Sequence, residues 1–170
     1  VTSPCQNVLS PSMPGVRVLY LRDARALYTA DAESGSGLAY ATPGSAGLDL
    51  RACFDAAEVT LLPGERFMVP SGVAVEPLVQ GMAGFVYSRS GLGARMGLTV
   101  SQGVGVIDPD YRGEIIVSLL NTSREPRRLR RGERMAQLVF QPFCRVALEE
   151  VASLGETDRG AGGFGHTGRI

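Results

Sequence analysis

Three short stretches of this sequence gather the residue types that grip phosphate and activate water. In the first, the apolar run Gly103-Val-Gly-Val-Ile-Asp108 ends on a carboxylate, and Asp110, Tyr111, Arg112 and Glu114 all follow within six positions. A carboxylate held at a tight turn can take a proton from water, and a neighbouring tyrosine ring can serve as a flat wall for a sugar or base. Asp-Pro-Asp is also ordinary turn chemistry, so this segment alone supports a structural turn equally well. The second stretch, Ser88-Arg-Ser-Gly-Leu-Gly93, puts two hydroxyls, a guanidinium and two glycines after an apolar strand, where backbone amides can converge on an anion. Taken by itself, a plain Ser-Gly turn is its simpler reading. The third, Arg159-Gly-Ala-Gly-Gly-Phe-Gly-His-Thr-Gly168, offers a guanidinium, repeated amides, the Thr167 hydroxyl and the Phe164 ring. A nucleobase with phosphates suits that set, the ring stacking while the amides and Arg159 hold charge. A flexible glycine-rich tail explains the glycines but leaves an exposed ring unused.

Composition narrows the chemistry further. His166 is the only histidine, which excludes a histidine-rich zinc centre and a Ser-His-Asp triad elsewhere in the chain; in its glycine-rich setting it is given no catalytic role. Cys5, Cys53 and Cys144 are odd in number and lack paired spacing, so reduced thiols are expected. Hydrolysis must then rest on carboxylates, arginines and a borrowed metal. Seventeen basic residues balance seventeen acidic ones, which removes any global attraction to nucleic acid or to an anionic membrane. Every basic side chain among them is arginine, able to hold phosphate oxygens in two-pronged fashion. No apolar run approaches the ~18 residues of a spanning helix, and the first residues lack a secretory signal. The expectation is a soluble, cytoplasmic protein that binds neither nucleic acid nor membrane.

The elements that must position these residues read as short strands. With 170 residues, the chain is long enough for one compact domain with a core of its own. From Val16 onward, apolar or alternating runs are broken by Gly, Pro and Asp, the pattern of an all-β sandwich or barrel. Strands are predicted at Val16 to Leu21, Ala46 to Phe54, Glu58 to Leu62, Arg66 to Pro70, Gly72 to Glu76, Met82 to Tyr87, Leu98 to Gln102, Glu114 to Asn121 and Met135 to Leu148. Pro63-Gly64 supplies a turn. Ala24 to Ala32 reads as a short helical insertion before a flexible link that ends at Leu38. The segment from Arg124 to Arg134 carries six arginines, but Glu125 and Glu133 interrupt it and no aromatics interleave, so it is read as a solvated hairpin. The predicted organisation is a disordered N-terminal arm over 1–15, a β domain over 16–154, and a mobile C-terminal lid over 155–170.

In order along the chain, these stretches resemble the five motifs of the trimeric dUTPase family, spread from about Ala41 to Gly168. Gly44-Ser-Ala-Gly-Leu-Asp-Leu50 is similar to the first, and Ser88 to Gly93 to the second. Gly105 to Glu114 resembles the third, Gly132-Glu-Arg-Met-Ala-Gln-Leu138 the fourth, and Arg159 to Gly168 the fifth. The resemblance implies a jelly-roll-like β-barrel or sandwich. It also implies a homotrimer with shared active sites, in which the C-terminal motif of one subunit closes over a neighbour's site. The implied reaction is hydrolysis of dUTP to dUMP and pyrophosphate with Mg2+, which keeps uracil out of DNA and supplies dUMP for thymidylate synthesis. Asp108 would deprotonate the attacking water and Tyr111 would pack beneath the deoxyribose. Arg89, Ser90, Gly91 and Gln137 would hold the phosphate chain, and Asp49 would support water ligands of a magnesium ion carried by the triphosphate. Arg159 and Thr167 would contact the γ-phosphate end. Phe164, with Gly165 beside it, would stack on uracil, which main-chain groups of the hairpin between Leu98 and Asp108, Gly105 among them, would select.

Two positions depart from the family pattern. Gln102 stands where many bacterial members have Asn, which leaves a side-chain contact to uracil open. Ser88 stands where the second motif usually opens with Pro, a position read as structural. Two rivals share the fold: a dCTP deaminase, against which the glycine-rich tail with Phe164 argues, and a dUTPase-like regulatory protein without catalysis, which should have lost Asp108, Tyr111 or Arg159. The insertion from Arg22 to Leu38 has no assigned role.

Overall fold

The computed structural model describes residues 14–29 and 37–163. Its strands are β1 (Val16–Tyr20), β2 (Leu48–Arg51), β3 (Glu58–Leu61), β4 (Arg66–Pro70), β5 (Val73–Pro77), β6 (Met82–Ser88), β7 (Leu98–Val100), β8 (Val104–Ile107), β9 (Ile116–Asn121), β10 (Arg127–Arg130) and β11 (Arg134–Pro142). They form antiparallel sheets with the orders β2-β11-β6-β8, β4-β9-β7, β1-β5 and β10-β3. The architecture is thus the expected all-β sandwich of open sheets, and the alternative of a closed barrel is not what forms.

Period-two patterning builds the core. In β9, Val117, Leu119 and Asn121 are buried while Ile116, Ser118 and Leu120 face outward, as alternation in a one-sided strand requires. Val69 from the neighbouring strand β4 and Leu50, Leu61, Leu129 and Leu138 from other sheets share one buried cluster with Val117 and Leu119. Asn121 is, with Ser71, a fully buried polar residue, and its amide is fully used: Nδ2 donates to the carbonyls of Leu61 and Glu125, and Oδ1 accepts from the Ser123 amide and hydroxyl.

Several predicted boundaries move. The strand expected over 46–54 is ordered as a ladder only at Leu48–Arg51. The long strand expected to reach Leu148 stops at Pro142, and the chain beyond it is exposed and unpaired by any strand. Apolar residues at 146, 148, 151 and 154 gave that stretch a strand-like look, but pairing needs a neighbour. The arginine-rich segment, read as a solvated hairpin, is instead a ladder strand of another pair: β10 pairs with β3 and not with its chain neighbours, because Leu129 is buried opposite Val59. The turn expected at Ser88 to Gly93 leads into a π-helical turn over Gly91–Met96. Residues 1–13 of the arm predicted over 1–15, and residues 30–36 of the predicted insertion, lie outside the described residues.

The insertion's helix, α1 (Ala24–Thr29), packs into the sandwich. Ala24 is fully buried beside Gly72, whose φ of 72° and lack of a side chain let the helix approach; a Cβ there would collide with Ala24 and with the Cys53 sulfur. Tyr28, also buried, donates its hydroxyl to the Ser71 carbonyl at 2.9 Å and accepts the Arg51 amide at 3.0 Å. Burial pushes the Tyr28 phenol well above its ordinary range, so it stays a neutral donor. Tyr28→Phe strips a partner from two backbone groups at once and should destabilise the fold by about 1–3 kcal/mol. Urea unfolding checks this; an unchanged midpoint would mean that α1 is not anchored through the hydroxyl.

Candidate active site

β6 is the ruler of the candidate site. At its C-terminal end Ser88 is followed by Arg89, Ser90 and Gly91, and across the sheet β11 places Gln137 opposite Tyr87 on one side and Asp49 of β2 on the other. Arg89 Nε meets Asp49 Oδ1 at 2.8 Å, and Arg134 Nη1 meets Asp49 Oδ2 at 3.2 Å. Arg89 also donates to the Arg134 carbonyl at 3.2 Å, and Gln137 Nε2 donates to the Ser88 carbonyl at 3.1 Å. These residues therefore form one linked polar cluster. A register shift between Arg134 and Ala136 marks a bulge in β11, the kind of irregularity that re-aims a side chain. Ser88 is structural, as read: its hydroxyl accepts the Val100 amide at 2.8 Å. The Ser90 hydroxyl makes no capping bond to the helical turn behind it, and Gly91 faces open space. The cluster presents guanidinium, hydroxyl and amide donors together, a set suited to phosphate oxygens.

The second part of the site follows β8 along the other edge of β6. Gly105 lies opposite Val86, and a Cβ there would stand 3.3 Å from the Val86 Cβ and 3.4 Å from Gln102 Nε2. Gln102 is exposed in the turn before β8, where its Oε1 accepts the Ser101 hydroxyl at 3.1 Å. Ile107 pairs with Gly84 near the start of β6, so Asp108 falls level with Ala83. Arg89 is six residues further along, which at ~3.3 Å per residue separates Asp108 from Arg89 by roughly 20 Å. The structure therefore brings Asp49, Arg89, Ser90, Gly91 and Gln137 together, but holds Asp108 and Tyr111 at the far end of the same strand.

Among the acidic residues, the partners differ sharply. Asp49 is claimed by two arginines, and Glu114 by Arg22, whose Nη1 and Nη2 donate to its two oxygens at 2.8 and 2.7 Å. Among the described residues no donor engages the carboxylate of Asp108. Tyr111 N–H closes the turn onto the Asp108 carbonyl at 3.1 Å, and the Tyr111 hydroxyl donates to the Glu114 carbonyl at 2.9 Å. Tyr111 is 44% exposed. Arg112 turns away, to the Pro109 carbonyl at 2.7 Å and to Glu76 at 3.2 Å.

Arg159 is exposed and donates to the Gly162 carbonyl at 2.9 Å, closing a local turn. Phe164, Gly165, His166 and Thr167 lie outside the described residues. A cleft of about 590 Å³ is walled by Arg51, Arg127, Arg128, Arg130, Arg131 and Arg134; it touches the polar cluster only through Arg134 and contains neither Asp108 nor Tyr111, so it does not mark the reacting centre. Sequence reasoning missed Arg134 as a partner of Asp49 and Arg22 as a partner of Glu114. The Arg22–Glu114 pair is 92 residues apart, and no local pattern signals it.

The dUTPase family model matches residues 34–168 of the chain. A deoxyuridine 5'-triphosphate nucleotidohydrolase of Methylococcus capsulatus is 48% identical over 130 residues, 76% of this chain and 85% of the relative. Two solved structures share the fold. A variant dUTPase of Staphylococcus bacteriophage 80alpha with dUpNHpp has a TM-score of 0.72 at 24% identity, covering 91% of this chain and 98% of that one. A variant dUTPase of the S. aureus phage phi11, described as coordinating a structural Mg(II) ion, has a TM-score of 0.67 at 20% identity, covering 84% and 99%.

The loop that carries Tyr111 leaves no room at Gly113, where a Cβ would collide with the Tyr111 hydroxyl and ring. Gly113→Ala should therefore swing the ring off its bond to Glu114 while costing at most about 1 kcal/mol of stability. A crystal structure of that variant decides it; a Tyr111 hydroxyl still bonded to the Glu114 carbonyl would contradict the packing.

Proposed function

The chain belongs to the dUTPase family and hydrolyses dUTP to dUMP and pyrophosphate, and on that premise we propose that Asp108 is the base, Tyr111 the floor beneath the deoxyribose, and Arg89, Ser90, Gly91 and Gln137 the grip on the phosphate chain. The observation that supports the assignment of the base is that β8 delivers Asp108 to the turn that carries Tyr111, with no donor on its carboxylate among the described residues, whereas Asp49 and Glu114 are each held by arginine. Asp108 takes a proton from a water as that water attacks the α-phosphorus. The bond from the α-phosphorus to its bridging oxygen breaks, and pyrophosphate leaves. Charge builds on that leaving group, and preformed donors aimed at it stabilise the transition state without having to reorganise. Arg89 is such a donor, fixed in place by Asp49. Arg159 and Thr167 meet the γ-phosphate end, Phe164 and Gly165 cover the uracil, and main-chain groups near Gly105 and Gln102 select it.

The donor set fits a magnesium ion carried by the triphosphate. Among the described residues no three His, Cys, Asp or Glu side chains gather into a metal site, and Asp49, with an arginine on each oxygen, would meet such an ion through water. Bound there, the ion supplies positive charge to the departing pyrophosphate.

The distance along β6 supports a shared site: with Asp108 and Arg89 roughly 20 Å apart in one chain, Asp108 and Tyr111 of one subunit are better placed to serve the phosphate grip of another. The chain beyond Pro142 supports the same reading: Leu148 is 93% and Leu154 87% exposed, large apolar side chains that a neighbouring subunit would cover. Met68 and Ile116 add an exposed apolar face on the β4-β9-β7 sheet. A homotrimer accommodates these features, with 16–154 as the body and 155–170 as a lid over a neighbour's site. No helix of the described residues is long and apolar enough to cross a membrane, and the reading places the enzyme in the cytoplasm, where it lowers dUTP and supplies dUMP.

Asp108→Asn should lower turnover by at least about 100-fold, the lower range for loss of a general base, while dUTP still binds. Pyrophosphate release together with calorimetric titration checks both halves, and near-normal turnover would remove Asp108 from its role. Sedimentation should show a trimer; a fully active monomer would contradict the shared site.

A further inference from the structure

We propose that Arg22 is a positioning residue for Tyr111 and, through it, a determinant of the preference for deoxyribose over ribose; this rests on the reading that Tyr111 lies beneath the sugar. Arg22 joins β1 to α1 in the insertion that has no other assigned role. Its φ of 53° makes it the one non-glycine residue with a positive φ among the described residues. Glycine adopts that conformation without strain, whereas arginine does not, and such strain persists where the side chain is needed.

What the side chain does is specific. Its two terminal nitrogens form parallel bonds with both oxygens of Glu114, at 2.8 and 2.7 Å, the planar fork that only arginine presents. Glu114 is the more deeply placed partner, its side chain 11% exposed against 47% for Arg22, and its Oε1 also accepts the Gly72 amide at 2.7 Å. The segment is pinned beside it as well, since the Leu21 amide donates to the Gly72 carbonyl at 2.8 Å. Glu114 in turn supplies the carbonyl that holds the Tyr111 hydroxyl. The chain of contact therefore runs from Arg22 through Glu114 to the ring, with no other side chain between.

Without the guanidinium, the Glu114 carboxylate would keep one amide donor in a setting that favours its turning out to water. Residue 114 would follow, and with it the acceptor of the Tyr111 hydroxyl. The ring would then yield to a 2′-hydroxyl that it otherwise excludes. A clamp that served the fold alone would have a different signature, lowering stability and the amount of active enzyme equally for every substrate.

The test is the ratio of kcat/KM for dUTP to kcat/KM for UTP, which is independent of the active fraction, measured on the full chain with Arg22→Ala, Arg22→Lys, Glu114→Gln and Tyr111→Ala. The ratio should fall about tenfold in Arg22→Ala, the size of one lost hydrogen-bonded contact. In Arg22→Lys, which keeps the charge but loses the fork, it should fall less. Should Arg22→Ala fail to fold, the near-isosteric Glu114→Gln reads the same contact and should also lower the ratio. An unchanged ratio in the Arg22 and Glu114 variants, with the ratio lost in Tyr111→Ala, overturns the positioning role and leaves Tyr111 beneath the sugar. An unchanged ratio in Tyr111→Ala removes the underlying reading of Tyr111, and the inference with it.

Discussion

An extended strand cannot fold its two ends together, and β6 makes that constraint govern the molecule. It is seven residues long and is paired along both edges, with β11 over its whole length and with β8 over Gly84 to Tyr87. Those ladders fix the register of every element that carries a candidate functional residue: β11 sets Gln137 beside Asp49, and β8 carries Gly105 and delivers Asp108. The register that assembles the phosphate grip at one end of β6 is the same one that sends the proposed base to the other. A one-residue slip would reverse the faces of all these side chains, so the separation is as fixed as the core beneath it. The proposed sharing of the site between subunits rests on that separation.

Charge in the chain is arranged by local pairing, since the total is zero. Asp49 bridges Arg89 and Arg134 and holds both in place, and Glu114 holds Arg22. Each pair is partly shielded from solvent, where a missing partner is more costly than on an open surface. Glu76 belongs to the open surface: Arg17 and Arg112 share it and hold its carboxyl below the usual range, yet exposure and salt limit what such a network contributes. The absence of lysine has a physical consequence at the shielded pairs, because the Arg22–Glu114 contact depends on a fork geometry that an ammonium lacks.

The sequence made the strand pattern legible wherever alternation reported a single buried face, as in β9, and wherever Gly, Pro or Asp punctuated a run. The grouping of Asp49, Arg89, Ser90, Gly91 and Gln137 was legible through motif order, since residues far apart in sequence converge only if the fold is assumed. Three things were not legible. The end of β11 was overrun because apolar residues along the arm look like strand whether or not a partner lies within the same chain. The helical turn after Ser90 was hidden because glycines at 91 and 93 suggest a loop, although Leu92 is buried beneath it. The Arg22–Glu114 clamp left no trace because periodicity describes faces of single elements, and this contact joins the start of one insertion to the end of a loop 92 residues later.

The exposed arm and the buried insertion then belong to one account of how this chain differs from a self-contained sandwich. α1 adds to the core from within the chain: Ala24 and Tyr28 fill space over Gly72 and Ser71, and Arg22 before the helix pairs with Glu114 at the end of the Tyr111 loop. The arm does the opposite. Val146, Leu148, Val151 and Leu154 leave the sandwich with no apolar surface to meet among the described residues of their own chain. Apolar side chains in water gain by burial in proportion to the area covered, so in the proposed trimer the arm would add to association by the same effect that seats α1. In the proposed trimer the base would meet a neighbour's phosphate grip and the arm a neighbour's surface, and one association would answer both, with the Tyr111 loop already in shape when it forms.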